Sequence, residues 1–140
     1  YRPDVLVMMF GMNDCVGGPG GRAAFEAAYD GVIRAARAAL GNDVIVFVQT
    51  PNRVLPNDST RHAHLADYAC GAREVAARNA TGLVDHFADW EPAERDGSLW
   101  YRLSDAIHPN AIGHRVLARQ FLRTLGLWDE ASLVGRMFTA

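Results

Sequence analysis

Two runs of consecutive apolar residues mark the first half of the chain, and each ends at a turn signal. Residues 4–10 are almost entirely apolar and stop at Gly11, and residues 44–48 are followed by Thr50 and Pro51. Continuous rather than alternating hydrophobicity is typical of a strand that is covered on both faces, as in a parallel sheet. A weaker run over residues 82–87 predicts a third strand.

Helical periodicity fills the intervals between these strands. Apolar residues recur at helical spacing over residues 22–40, which predicts the first helix. A second helix is predicted over about residues 59–80, capped by Asp58 or Ser59. A third is predicted to follow, with Pro109 suited to its first helical position. The residues predicted to face inward are Phe25, Tyr29, Val32, Ala36 and Leu40 in the first helix, Leu65, Tyr68, Ala72, Val75 and Ala76 in the second, and Ile112, Val116, Leu117, Phe121, Leu122 and Leu125 in the third.

The alternation of strands and helices predicts an α/β fold, a three-layer α/β/α arrangement with a parallel sheet between helices. The chain has 140 residues, enough for one core, and no internal repeat or low-complexity segment divides it. We therefore expect a single domain over residues 1–140.

Composition narrows the range of partners. The formal net charge of −2 gives no electrostatic basis for binding nucleic acid or an anionic membrane. No apolar stretch reaches the roughly 18 residues that a membrane span needs.

The chain starts without Met and enters a strand pattern at once, so we expect further residues before Tyr1, any targeting signal included. Cys15 and Cys70 follow no metal or redox spacing, which favours free thiols but leaves a disulfide open.

A short polar segment, Gly11-Met12-Asn13-Asp14, directly follows the first predicted strand. Ligands of open parallel sheets bind at the carboxyl ends of the strands, where the side-chain amide of Asn13 can donate to a developing oxyanion. The alternative is an ordinary turn, because Gly, Asn and Asp are common turn residues. Taken alone, the segment favours the turn.

A second polar segment runs from Asp105 to Asn110 and precedes the last predicted helix. If the intervening residues form a tight turn, the carboxylate of Asp105 reaches the imidazole of His108, sets its tautomer and leaves Nε2 free as a base. Such a pair is the orienting and basic part of an acyl-transfer triad. The alternative is a helix cap followed by an ordinary loop histidine, and the spacing alone favours it.

The two segments together reverse this balance. Gly-x-Asn-Asp after a buried strand, then Asp-x-x-His-Pro-Asn before a terminal helix, resembles the third and fifth conserved blocks of the SGNH (GDSL-type) hydrolases. The resemblance implies a flavodoxin-like sheet and hydrolysis of small acyl esters without a metal or organic cofactor. It also implies that Asp105 orients the imidazole, that His108 is general base and then acid, and that Asn13 is the oxyanion donor. Asp14 is expected to brace the turn.

The sequence departs from the family at the nucleophile. The family serine lies in a Gly-Asp-Ser motif at the end of the first strand, and a glycine after the second strand completes the oxyanion hole; neither motif occurs here. Ser98 follows an Asp-Gly pair in the wrong order, and the position of Ser104 beside Asp105 does not aim its hydroxyl at His108. We therefore expect no nucleophile in this chain, missing N-terminal strands and no activity of the chain alone.

The missing strands predict an open sheet edge. In a flavodoxin-like order the absent first strand would lie beside the strand of residues 4–10. That strand would then present unpaired backbone groups, which favours marginal stability or self-association with a second copy.

Weaker candidates and rival functions remain beside this interpretation. Asp85 and His86 form a rival acid–base pair, but adjacent strand residues point to opposite faces. The segment from Gly18 to Ala23 fits Gly-x-Gly-x-x-Ala, although a dinucleotide site needs this motif directly after its strand. A third alternative is a relative without the serine that acts as a binding or scaffold domain and does not catalyse a reaction.

Two further groups of residues are weaker candidates. The spacing of His62, His64 and His86 matches no zinc site. The aromatic residues Trp90, Trp100 and Tyr101 either line a substrate cleft or pack under a loop.

Overall fold

The computed structural model describes residues 2–136. Its strands are β1 (Val5–Met9), β2 (Ile45–Gln49) and β3 (Gly82–Val84). Its helices are α1 (Arg22–Leu40), α2 (Ser59–Arg78), α3 (His86–Asp89), α4 (Glu91–Arg95), α5 (Ala111–Thr124) and α6 (Leu133–Arg136). Short 3₁₀ turns lie at Asp14–Gly17, Pro19–Gly21 and Leu99–Arg102.

The three strands form one parallel sheet in the order β1-β2-β3. This confirms the predicted α/β class and parallel sheet. The third strand is shorter than predicted, because the carboxylate of Asp85 accepts the backbone N–H of Ala88 at 3.2 Å and starts α3. The chain therefore turns into a helix where the apolar run predicts continued strand.

Helices cover both faces of the sheet. Val46 and Val48 are buried in the core shared with α1 and α2, and the Tyr29 hydroxyl of α1 donates to the Met8 carbonyl of β1 at 2.8 Å. Phe47 alternates to the other face, where its ring meets that of Phe121 in α5 at 5.8 Å. The result is the predicted three-layer arrangement.

The helices follow the predicted apolar faces with two corrections. In α1 the buried stripe is Phe25, Tyr29 and Ile33, whereas Val32 is 43% exposed. Periodicity predicts Val32 to face inward, but its side chain lines a cavity of about 200 Å³ with Phe10. In α2 every predicted inward residue is buried. In α5 only Val116 of the predicted apolar face is fully buried.

The start of α5 also differs from the prediction. Asn110 is the N-cap, and its Oδ1 accepts the backbone N–H groups of Ile112 and Gly113 at 2.9 and 3.0 Å. Pro109 therefore lies before the cap rather than at the first helical position. The helix starts later because an asparagine side chain satisfies donors that the helix itself leaves free.

β1 pairs only with β2 among the described residues, so its other side is an edge. Along the α5 side of the sheet Val5, Val7 and Met9 are 44, 41 and 39% exposed. This apolar strip is contiguous with a groove of about 430 Å³ between the sheet and α5. No helix in residues 2–136 has both the length and the apolarity to cross a membrane.

The open edge leads to a prediction about the isolated chain. We expect self-association or a low, broad melting transition, measured by light scattering after size exclusion and by circular dichroism, because unpaired apolar strands template pairing. Val7→Lys should shift the population toward monomer, while Ala38→Lys on the exposed side of α1 should not. A monodisperse monomer with a high, cooperative melting transition would contradict the prediction.

Candidate active site

Asp105 and His108 form a direct pair, as the sequence predicts. Oδ2 of Asp105 lies 2.7 Å from Nδ1 of His108. The pair is open to solvent, with the two side chains 54 and 69% exposed. A ligand can therefore approach the imidazole without a rearrangement of the core.

Backbone N–H groups hold the carboxylate of this pair. Oδ1 of Asp105 accepts from the backbone N–H of His108 and of Ile107, both at 2.8 Å. These two bonds, with the imidazole contact, lower the pKa of Asp105 to about 2. An ionised carboxylate only accepts, so Nδ1 donates in this contact, and in the neutral form of the ring the lone pair is on Nε2.

The loop that carries the pair is closed at its base. Leu103 and Pro109 form an antiparallel bridge, and the backbone N–H and the hydroxyl of Ser104 both donate to the His108 carbonyl, at 2.9 and 3.0 Å. The Ser104 hydroxyl is thus bonded to a backbone carbonyl rather than to the imidazole.

Close packing against α5 completes the loop. The side-chain amide of Asn110 donates to the carbonyls of Tyr101 and Leu103, at 2.9 and 3.2 Å. A Cβ at Gly113 would collide with the carbonyl of Arg102. Only glycine allows the first turn of α5 to approach the loop this closely.

The turn after β1 presents Asn13 at the carboxyl end of the sheet. Gly11 has a φ of +109°, and its N–H donates to Oδ2 of Asp14 at 3.0 Å. Asp14 therefore braces the turn, as predicted. Asn13 follows in an exposed position at the start of the Asp14–Gly17 turn.

Arg61 in the first turn of α2 sets the orientation of the Asn13 amide. Its Nε donates to the Met12 carbonyl at 3.1 Å, and a terminal nitrogen donates to Oδ1 of Asn13 at 3.2 Å. A guanidinium has no acceptor, so the amide oxygen faces Arg61. The NH₂ group of Asn13 then points away from Arg61 and has its donors free in the described residues.

The stretch from the end of β2 to the first turn of α2 contacts both parts of this site. Asn52 donates to the Ile107 carbonyl at 3.0 Å, and the Leu55 N–H donates to the carbonyl of Ala106 at 2.8 Å. A few residues later Arg61 holds the Asn13 turn. Asn13 and the His108 loop are therefore secured to one connection at the carboxyl end of β2.

Sequence reasoning missed Asn52 and Arg61. Asn52 is only 4% exposed, and a polar residue next to Pro51 at the end of a buried strand was its one available signal. Arg61 reads as an ordinary helix residue. Its partners Met12 and Asn13 lie nearly fifty positions earlier in the chain, and helical periodicity gives no information about contacts of that range.

The side chains of the rival pair, Asp85 and His86, bond to other residues and not to each other. Asp85 bonds to Arg73 at 2.8 Å and to the Thr50 hydroxyl at 3.0 Å. Nε2 of His86 lies 2.9 Å from the side chain of Gln49. Burial lowers the pKa of His86 to about 4, so the ring is neutral near pH 7.

The aromatic candidates separate into two groups. Trp90 is fully buried with Leu99 and Leu103, so it packs under the loop. Trp100 and Tyr101 are 63 and 56% exposed and contact each other edge to face. They flank the loop of the His108 pair, since the Tyr101 carbonyl accepts from Asn110.

The glycine run packs against α2. The hydroxyl of Tyr68 donates to the Gly18 carbonyl at 2.8 Å, and the run forms 3₁₀ turns that do not directly follow β1. Cys15 and Cys70 are both free. Cys15 is buried, which raises the pKa of its thiol, and it donates to the Met12 carbonyl at 3.2 Å.

Comparison with known proteins decides the family. The sequence profile of the GDSL-like lipase/acylhydrolase family matches residues 1–116. The chain belongs to this family. No curated protein matches the chain in sequence.

Solved structures show what the fold is similar to. The chain is similar to a candidate GDSL-like lipase from Parabacteroides merdae (TM-score 0.78, 20% identity, 91% of this chain and 62% of that one). It is similar to LAE5, an α/β hydrolase from the metagenome of Lake Arreo (0.74, 25%, 91% and 62%). It is also similar to Axe2, an acetylxylan esterase from Geobacillus stearothermophilus (0.73, 20%, 94% and 63%). The chain thus spans less than two thirds of each of these GDSL-like and hydrolase structures.

Proposed function

We propose that this chain supplies the general base, its orienting carboxylate and an oxyanion donor of a serine esterase. The observation that carries the proposal is the Asp105–His108 pair, with Oδ2 and Nδ1 2.7 Å apart. Its carboxylate is ionised and held by two backbone donors, and its imidazole is open at the carboxyl end of the sheet. Membership of the GDSL-like lipase/acylhydrolase family supports an ester as the substrate.

Each of the three residues has a chemical task in this proposal. Nε2 of His108 takes the proton of a serine hydroxyl as it attacks the acyl carbonyl, and returns it to the leaving alcohol. Asp105 keeps Nδ1 protonated and stabilises the imidazolium that forms. The NH₂ group of Asn13 donates to the oxyanion of the tetrahedral intermediate. Water then attacks the acyl-enzyme with the same proton transfers through His108, which releases the carboxylic acid and regenerates the serine.

The nucleophile is proposed to come from a further strand that pairs with the free edge of β1. Parallel strands end at the same edge of a sheet, so a residue at the end of that strand arrives beside Asn13. Such a strand and its helix would also cover the exposed strip of Val5, Val7 and Met9. We use the term complete enzyme for this chain joined to that serine-bearing segment.

Catalytic mutants of Axe2 support the proposal that the serine comes from a different segment than the aspartate and the histidine. They replace a serine, an aspartate and a histidine by alanine, and the aspartate lies three positions before the histidine. Asp105 and His108 have the same spacing. The Axe2 serine lies far upstream of the other two. We propose small acyl esters as substrates, O-acetylated carbohydrates among them.

A serine-directed fluorophosphonate probe tests the proposal. We expect labelling of the complete enzyme at one serine, and neither labelling nor turnover of p-nitrophenyl acetate by residues 1–140 alone. The reason is that a general base without its nucleophile performs no acyl transfer. Turnover by the chain alone that disappears in His108→Ala would reveal a nucleophile within the chain and overturn the assignment.

A further inference from the structure

Arg61 connects the start of α2 to the turn that carries Asn13. Its guanidinium reaches three acceptors: the Met12 carbonyl at 3.1 Å, Oδ1 of Asn13 at 3.2 Å and Oδ2 of Asp58 at 2.8 Å. Its side chain is 21% exposed, so most of it is held against the protein. A fork of this kind fixes direction as well as distance.

The anchor of Arg61 is itself well defined. Asp58 is the N-cap of α2 and accepts the backbone N–H of Arg61 at 3.1 Å. The same carboxylate pairs with the Arg61 side chain, and the N–H bond and the guanidinium together lower the pKa of Asp58. The helix end therefore holds the guanidinium through contacts that do not involve Asn13.

The direction of the Asn13 amide has a catalytic consequence. An asparagine amide can be turned by 180° about its last torsion, which exchanges its oxygen and its NH₂ group. In one orientation it donates to an oxyanion, and in the other it presents an oxygen that repels one. Arg61 only donates and selects the first orientation, at a side chain that is otherwise exposed to solvent.

We propose that Arg61 is a positioning residue for the oxyanion hole, because it holds the amide oxygen of Asn13 and thereby aims the NH₂ group at the reacting carbonyl. This inference rests on the proposed function. Arg61 is not required to contact the substrate. Its effect should therefore appear in kcat, and only while Asn13 is present.

A double-mutant cycle in the complete enzyme tests the proposal. We expect Arg61→Ala to lower kcat by about 10- to 100-fold with KM nearly unchanged, since misorientation of a catalytic group costs rate rather than binding. In the Asn13→Ala background the same change should have almost no further effect. Arg95→Ala, whose side chain is 72% exposed on α4, is the matched control and should leave kcat unchanged.

Arg61→Lys separates the fork from the charge. Lysine keeps the cation beside Asp58 but has no planar fork to reach two acceptors, so kcat should stay low. This variant also replaces Arg61→Ala in the cycle if loss of the side chain prevents folding, which thermal melting of each variant reports. Full recovery of kcat by lysine would overturn the positioning role.

The other outcomes are equally decisive. An equal loss in both backgrounds, or no loss in either, would show that Arg61 does not act through Asn13. If Asn13→Ala itself keeps full kcat, the oxyanion role fails and the Arg61 proposal fails with it. A slow Asn13→Ala together with a fast Arg61→Ala overturns the Arg61 proposal alone.

Discussion

Replacing His108 by alanine in the complete enzyme should reduce kcat by about 10⁴- to 10⁶-fold, the range seen when a triad base is removed. In the proposed mechanism the imidazole accepts the serine proton at Nε2, and the groups beside it have other partners. Asp105 is bonded to the backbone of its own loop, and the neighbouring Ser104 hydroxyl is bonded to a carbonyl. The measurement is steady-state hydrolysis of a chromogenic acetate ester.

Two companion variants separate chemistry from loop structure. Asp105→Asn keeps an oxygen for the N–H groups of Ile107 and His108, yet places an NH₂ group opposite Nδ1 and forces the wrong tautomer; about a 10⁴-fold loss is expected. His62→Ala, 42% exposed on α2, is the histidine control and should retain activity. Substantial turnover by His108→Ala would refute the assignment of the base.

The second large effect is expected at Asn13. Asn13→Ala should lower kcat by about 100- to 1000-fold with little change in KM, because an oxyanion donor acts mainly on the transition state. Hydrolysis of the same ester by the complete enzyme gives both constants. The loss in kcat is large because water does not replace the missing amide donor once the substrate fills the site.

Asn13→Asp is the sharper variant. It keeps the size of the side chain and an oxygen for Arg61, but presents a carboxylate where the NH₂ group should donate. We therefore expect a loss at least as large as for alanine with an unchanged melting temperature. Asn42→Ala, exposed at the opposite end of the sheet, is the control. Unchanged kcat in Asn13→Asp would exclude the oxyanion role.

The sequence predicted the elements whose cause is local. The continuous apolar runs predict β1 and β2, and every predicted inward residue of α2 is buried. Of the α1 stripe, Phe25 and Tyr29 are buried, whereas Ala36 and Leu40 are half-buried and Ile33 is buried in place of Val32. Asp105 and His108 could be paired from sequence only through the resemblance that their segment and the Asn13 segment carry together, because the spacing of the two residues alone favours a helix cap and an ordinary loop histidine.

Where the local pattern failed, a polar side chain competed with it. The apolar run over residues 82–87 stops being a strand at Asp85, which caps α3 instead. Asn110 likewise moves the start of α5 beyond Pro109. Capping asparagine and aspartate satisfy backbone donors that apolar periodicity does not take into account.

The sequence by itself determined the α/β alternation of strands and helices, the Asp105–His108 loop and the segment that contains Asn13, since the pattern that marks each element lies within a short stretch of the chain. Tertiary structure alone decided which way the Asn13 amide faces and what secures the His108 loop. Arg61 and Asn52 make those bonds across separations of 48 and 55 residues. Contacts of that range depend on how strands and helices pack, and no spacing along the chain encodes them.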